Sequence, residues 1–178
     1  MTSVDPDAPS LHHIIVVGGT SAEWAATSGE HWTQLVDELG KVADHVGAGW
    51  LTLRPYGGSD AATQLEDRSA TVGSCVVSVE PESDGRRRVA SAVERLRENG
   101  QPITEAGIAR EMNSPAAVDP DLVVVVGPGH RLPPSLVWEL AYSELVFIDA
   151  SWQQLAAAHL DDAINSYALR NRRFGGVD

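Results

Sequence analysis

The sequence predicts a single α/β domain built on a mainly parallel sheet of about five strands, with helices on both faces. Three observations carry this. Five apolar residues, Leu122 to Val126, follow one another without alternation and stop at Gly127-Pro128-Gly129, the pattern of a strand covered on both sides. A second such run, His13-Ile14-Ile15-Val16-Val17, enters Gly18-Gly19. Between them Trp32, Leu35, Val36, Leu39, Val42, Ala43 and Val46 recur at three- and four-residue intervals, so His31 to Val46 forms an amphipathic helix with one core face. With 178 residues, of which 43% are hydrophobic, the chain can bury one core of globular type.

Residues 1–10 carry Asp5, Pro6, Asp7 and Pro9 and little to bury, so they are expected to be a flexible tail ahead of a domain spanning 11–178. The strand at His13 leads into a glycine turn, where parallel α/β proteins bind phosphates on helix-start amides, although neither a dinucleotide fingerprint nor a P-loop is present. Trp50 to Arg54 is the next strand. Ala61 to Gly73 reads as one turn-rich connection, and Ser74 to Val79 resumes as a strand. Asp84-Gly85-Arg86 precedes a helix with Val89, Val93 and Leu96 on one face, ended by Gly100-Gln101-Pro102. A short helix runs from Ile103 to Met112 with Thr104 as its cap. After the strand at Leu122, Pro133-Pro134-Ser135 should start a helix burying Leu136, Trp138, Leu140 and Ala141. Leu145 to Ile148 reads as a second buried strand, and Ser151 to Arg170 as the last long helix.

A formal net charge of -12 argues against general affinity for nucleic acid or an anionic membrane. Arg86-Arg87-Arg88 and Arg170 to Arg173 are the basic clusters, and such runs are usually solvated faces. No stretch approaches the roughly 18 apolar residues needed to span a bilayer, and the acidic start is unlike a signal peptide, which points to the cytoplasm. Cys75, the one cysteine, lies before Val76 and Val77 and is expected to be a buried small residue.

Trp138-Glu139-Leu140-Ala141-Tyr142-Ser143-Glu144-Leu145-Val146-Phe147-Ile148-Asp149, then Trp152, then Arg172-Arg173-Phe174-Gly175-Gly176 resemble the carboxyl-terminal third of the cis-prenyltransferases, the undecaprenyl diphosphate synthase family. His13 to Ala25 resembles the family's amino-terminal signature, in which a histidine and an apolar run lead into Asp-Gly-Asn-Gly-Arg-Trp-Ala. Counted from His13 or from Trp24, Gly19 stands where the family has its aspartate and Glu23 where it has arginine. The family's Arg-Thr-Gly-Gly-Glu-x-Arg-x-Ser-Asn corresponds to Val125-Val126-Gly127-Pro128-Gly129-His130-Arg131-Leu132-Pro133-Pro134. Asp60 to Ser74 replaces a long helix, a strand and a further helix that help wall the family's isoprenoid tunnel, so the resemblance implies no long-chain tunnel here.

The resemblance therefore implies a shortened, degenerate member. The family aspartate helps hold the magnesium diphosphate of the allylic substrate, and Gly19 has no side chain to do so. Glu23 would repel a diphosphate that arginine would neutralise. Arg131 and Glu144 remain, the first as part of a remnant pocket and the second as a weak magnesium candidate. Arg173 and Gly175 match the Arg-x-Gly element that, in dimeric members, crosses to the neighbouring subunit and helps bind isopentenyl diphosphate there. A chain with that tail but without the aspartate resembles the non-catalytic subunits of two-component cis-prenyltransferases. On that reading it binds no cofactor alone, and magnesium and isopentenyl diphosphate belong to the catalytic partner's site. It pairs with that partner or with itself, through the apolar surface of Arg131 to Phe147, and reaches a membrane only through the partner. The alternatives are a weak or short-chain transferase using Arg131, Glu144 and Asp60 as a homodimer, or a protein that binds a polyprenyl or nucleotide phosphate.

Overall fold

The fold was analysed in a computed structural model, which describes residues 11–57, 68–116, 118–141 and 143–174, with side chains up to Arg170. The expected tail, residues 1–10, lies outside them, as do Asp60, Tyr142 and Gly175. The chain runs β1 (His13–Gly18), α1 (Ser21–Ala26), α2 (Gly29–His45), β2 (Trp50–Arg54), β3 (Arg68–Val72), β4 (Cys75–Val79), α3 (Gly85–Glu98), α4 (Glu105–Asn113), β5 (Leu122–Val126), β6 (Glu144–Ile148) and α5 (Ala157–Phe174). The strands form one sheet in the order β3-β4-β2-β1-β5-β6, parallel except for the β3–β4 hairpin. The expected α/β class and parallel sheet are present, with six strands instead of about five.

Apolar runs and cap residues explain most of the elements. Ile14, Val16, Leu51, Leu53, Val77, Leu122, Val124 and Val126 point to one face, where α1, α2 and α5 close the larger core. Ile15, Val17, Val123 and Val125 point to the other and meet Leu136. The caps are local. Thr20, Ser28, Asp84 and Thr104 accept hydrogen bonds from the first-turn amides of α1 to α4. Cys75 is buried, as expected.

Four expectations are corrected. β3 forms inside the stretch read as a turn-rich connection: its residues are mostly exposed, so it lacks the apolar signal of a core strand. β6 is an edge strand with only Val146 buried, not a second fully buried strand. The last helix begins at Ala157, because Ser151 to Gln154 closes a separate 3-10 turn around the buried Trp152. Among the described residues from Pro133 to Ser143 there is no α-helix. That segment makes turns and one short 3-10 helix, Glu139–Ala141, because Glu139 is drawn into the interior by two arginines.

Candidate functional site

Connections from β1 pass toward β2 on one side, while β5, on the other side of β1, is reached by a later crossover, so β1 and β5 flank the topological switch point. The crevice above their carboxyl ends is where such sheets take ligands. Gly18 aligns with Val126 and Ile148 there, and Gly127 to Arg131 leaves from the same edge. The Gly19 carbonyl accepts from the Tyr56 amide at 2.7 Å, and the Ser21 amide donates to Gly57 O at 3.1 Å.

Tryptophan fills this crevice. Trp152 is buried and stacks on Trp24 with centroids 5.3 Å apart, and Trp32 packs edge-on against Trp24 at 4.9 Å. The Trp24 indole donates to Gly18 O at 2.8 Å. Gly19 has φ +69°, and a Cβ built on it would lie 2.6 Å from Trp152 Cγ. The position that the family fills with aspartate thus has no space for a side chain and an unsuitable backbone. Glu23 does not face a ligand as the resemblance implied. It accepts from the Thr20 amide at 2.7 Å and from Gln153 at 2.9 Å, and these bonds lower its pKa. It completes the capping box of α1.

Arg131 lies on the exposed loop beyond β5 and makes no ion pair among the described residues. Glu144 is not near it. Glu144 aligns with Leu122, four residues along β5 from the Val126 that aligns with Gly18, and therefore about 13 Å from the crevice. Its carboxylate pairs with Arg170 at 3.2 Å, and Arg170 also donates to Leu145 O at 2.9 Å. Magnesium does not fit the donors of one chain: Gly19 offers none, Glu144 sits at the other end of the sheet, and no group of three acidic, histidine or cysteine residues that could hold a metal occurs among the described residues. Arg173 lies in the last turn of α5, beyond the described side chains, so its expected role is untouched by this geometry, as is that of Gly175.

Sequence reasoning missed a second polar centre. Arg54 is fully buried on the opposite face of the sheet, sharing it with Val17. Its Nε donates to Glu80 Oε2 at 2.8 Å and its Nη1 to Glu139 Oε1. Arg88, expected at the surface, is buried and donates to the same Glu139 oxygen at 2.7 Å and to Met112 O at 2.9 Å. Burial alone would lower the Arg54 pKa, but Glu80 and Glu139 raise it above its ordinary value; burial likewise opposes ionisation of Glu139, and the two arginines outweigh it. Beside the cluster, His13 bonds Thr52 Oγ1 at 3.0 Å and Val118 O at 3.1 Å, and burial lowers its pKa to about 4. The available signal was alternation: Thr52 and Arg54 share one face of a strand, so a charge at that face had to be paired.

An apolar groove of about 340 Å³ separates α2 from the β3–β4 hairpin, lined by Trp32, Val36, Ala70, Val72, Val77 and Val79. It shares Trp32 with the tryptophan cluster, and so adjoins the crevice.

A mainly parallel α/β sheet whose strand order reverses between β1 and β5 places the chain in the class of open, doubly wound α/β proteins. Comparison narrows the class: residues 48–175 match the family described as "Putative undecaprenyl diphosphate synthase", and the chain belongs to that family. The isoprenyl transferase of Chromobacterium violaceum is 36% identical over 118 residues, which cover 66% of this chain and 47% of that protein. The isoprenyl transferase of Geobacillus kaustophilus is 37% identical over 91 residues, 51% of this chain and 35% of its own. This chain thus spans about half or less of the length of these relatives. The fold resembles that of a probable undecaprenyl diphosphate synthase from Campylobacter jejuni, with a TM-score of 0.62 at 18% identity over 94% of this chain and 99% of that one. It also resembles lavandulyl diphosphate synthase from Lavandula x intermedia, solved with dimethylallyl diphosphate, with a TM-score of 0.59 at 15% identity over 89% and 95% of the two chains.

Proposed function

We propose that this chain is a non-catalytic subunit of a two-component cis-prenyltransferase and lends Arg173 and Gly175 to the diphosphate site of a catalytic partner. One observation carries the reading. The chain's own crevice lies at the carboxyl edge of the sheet, where Trp152 fills the space beside Gly19, while α5 ends at the amino edge, where Arg170 bonds Glu144 and Leu145. Arg173, in the last turn of α5, therefore stands at the edge of the sheet opposite the chain's own crevice. Magnesium and isopentenyl diphosphate then belong to the partner's site, with Arg131 left as a remnant.

The test is turnover. Alone, the chain should give no condensation of isopentenyl with farnesyl diphosphate in magnesium, and activity above a blank would sink the reading. Mixed with a catalytic cis-prenyltransferase subunit it should raise activity, and Arg173→Ala should remove most of that gain while the complex still forms. The loss of one charged hydrogen bond corresponds to about 1.5 to 3 kcal/mol, or roughly ten- to a hundredfold in kcat/KM for isopentenyl diphosphate.

A second reading, a weak or short-chain transferase acting as a homodimer, is favoured by the groove of about 340 Å³, which suits a short prenyl chain and not a long one. Turnover of dimethylallyl or geranyl diphosphate by the chain alone would select it.

A further inference from the structure

β5 and β6 are neighbouring parallel strands, so the chain that leaves β5 at the carboxyl edge must return to the amino edge before β6 begins. Connections of this kind are usually helical. The return is about 13 Å, the rise of four strand residues, and an α-helix over residues 133–141 would cover about 14 Å, so it would fit with both strands where they stand. Both ends of the segment already turn. The Ser143 amide donates to Glu139 O at 3.2 Å, the spacing of an α-helical turn, and the Leu136 amide donates to Pro133 O at 3.1 Å, the spacing of a 3-10 turn. Leu140 follows Leu136 by four residues, so a helix would set both on the sheet.

The observed turns divert the hydrogen bonds that such a helix needs. In a helix the carbonyls of Pro134 and Ser135 would accept from the amides of Trp138 and Glu139. Here Pro134 O accepts from the Gly85 amide at 3.1 Å, and Ser135 O accepts from Arg88 Nη1 at 3.3 Å. Gly85 permits the first contact, since a Cβ there would fall 2.9 Å from Pro134 O. Arg88 Nη1 also donates to Glu139 Oε1 at 2.7 Å, and Arg54 Nη1 donates to the same oxygen.

This hold leaves groups unsatisfied. Glu139 Oε2, Glu80 Oε1 and the Trp138 indole nitrogen are buried without a hydrogen-bond partner among the described residues, while Val137 and Leu140 are 51% and 36% exposed. Each such polar atom is unfavourable by an amount comparable to a lost hydrogen bond. The cluster of Arg54, Glu80, Arg88 and Glu139 consists of ionised groups, which seldom stabilise a fold more than apolar residues of the same volume would. Apolar spacing, the strand geometry and the unpartnered atoms therefore favour a helix, and the ion pairs of Glu139 favour turns. We propose that residues 133–141 are a two-state element, which Arg54 and Arg88 hold in turns through Glu139 and which coils into a helix on the sheet when Glu139 is released. The two forms present different surfaces. Turns expose Leu140 and keep the Trp138 indole nitrogen inside, whereas a helix that sets Leu136 and Leu140 on the sheet turns Trp138 to the opposite side, where water satisfies it. The switch belongs to the single chain and does not depend on the proposed function.

Carbon-13 chemical shifts of the Cα atoms, measured on the full chain, read the form of the segment directly. The wild type should show helical values within 133–141 at Glu139–Ala141 alone. Glu139→Gln removes the charge with little change of shape, and it should extend helical values from Pro134 to Ala141 while those of β1, β2 and β5 stay as they are. In the same variant the Trp138 indole proton should exchange with water roughly tenfold faster or more, because it leaves the interior. Where the single variant does not fold, Arg54→Met with Glu139→Leu removes both charges and takes its place. Turn-like shifts that persist at residues 134–138 in the released chain overturn the proposal, since the backbone and not the clamp would then set the turns. Random-coil shifts there overturn it too, because the clamp would be ordering a loop with no second form. Strand shifts lost across β1, β2 and β5 in the double variant overturn it as well, since the cluster would then hold the whole sheet.

Discussion

The crevice above β1 and β5 and the charged cluster on the other face of the same sheet have characters opposite to those their sequences suggest. Gly18-Gly19-Thr20 and Glu23 look like a ligand loop, yet Trp152 occupies the space and Glu23 caps its own helix. Trp50 to Arg54 and Leu136 to Ala141 look like ordinary core elements, yet their charges meet in the interior. The difference teaches that a motif's backbone can persist while its chemistry is replaced by packing. Charge at an interior position, in contrast, is retained only where partners surround it.

Breaking the charged side should have the largest effect. Arg54→Met leaves Glu139 and Glu80 with fewer counter-charges in the interior, and losing one member of a buried pair costs about 3 to 5 kcal/mol. Arg54→Met combined with Glu139→Leu removes the orphaned charge and should recover part of that loss. Urea unfolding of the two variants measures both values. A double variant no more stable than the single would mean that the pairing has been misassigned.

His13 tests the same face by pH. Its folded pKa is about 4, below the ordinary 6.5, because burial disfavours the imidazolium. The unfolded chain therefore binds the proton first. The stabilisation is complete above pH 6.5 and is lost as the pH falls toward 4, by about 3 kcal/mol in all. Stability against pH should show this slope in the wild type, and His13→Gln should flatten it between pH 6.5 and 4, although it loses the bonds to Thr52 and Val118.

The crevice should respond less. Gly19→Asp restores the family carboxylate but needs φ near +69° and overlaps Trp152, so it should destabilise by about 1 to 3 kcal/mol and give no condensation activity. Gain of activity in this variant would show that the crevice adapts, and that the chain lost only one group.

Much of the fold was legible because parallel strands buried on both faces need unbroken apolar runs, and β1 and β5 have them. β3 was hidden, since Arg68-Ser69-Ala70-Thr71-Val72 is held by pairing with β4 and has little to bury. The 133–143 segment carries helical spacing and a proline start, but the Glu139 ion pairs override that propensity, and no local pattern announces a partner 85 residues away. At the site, Gly19 and its consequence were visible by position; that Trp152 would fill the gap was not, because aromatic packing across the sheet leaves no spacing to read. Arg88 was concealed among three adjacent arginines, of which it alone is buried.

The smallest effect belongs to Glu144, the residue whose family role invites the largest. Its carboxylate and the Arg170 guanidinium are 27% and 51% exposed, and an ion pair so open to water is worth about 1 kcal/mol at most. Glu144→Gln should therefore change the stability of the isolated chain by less than about 1 kcal/mol, and the difference should shrink in high salt. Excess magnesium should not raise the melting temperature of either form, because a metal that binds the folded chain alone would stabilise it by mass action and the crevice offers no second ligand within reach. A magnesium-dependent rise in wild type that disappears in Glu144→Gln would place a metal site at the amino edge of the sheet. The carboxylate would then be acting across a subunit boundary, beside the end of α5, and the inert crevice would describe one chain but not the assembly.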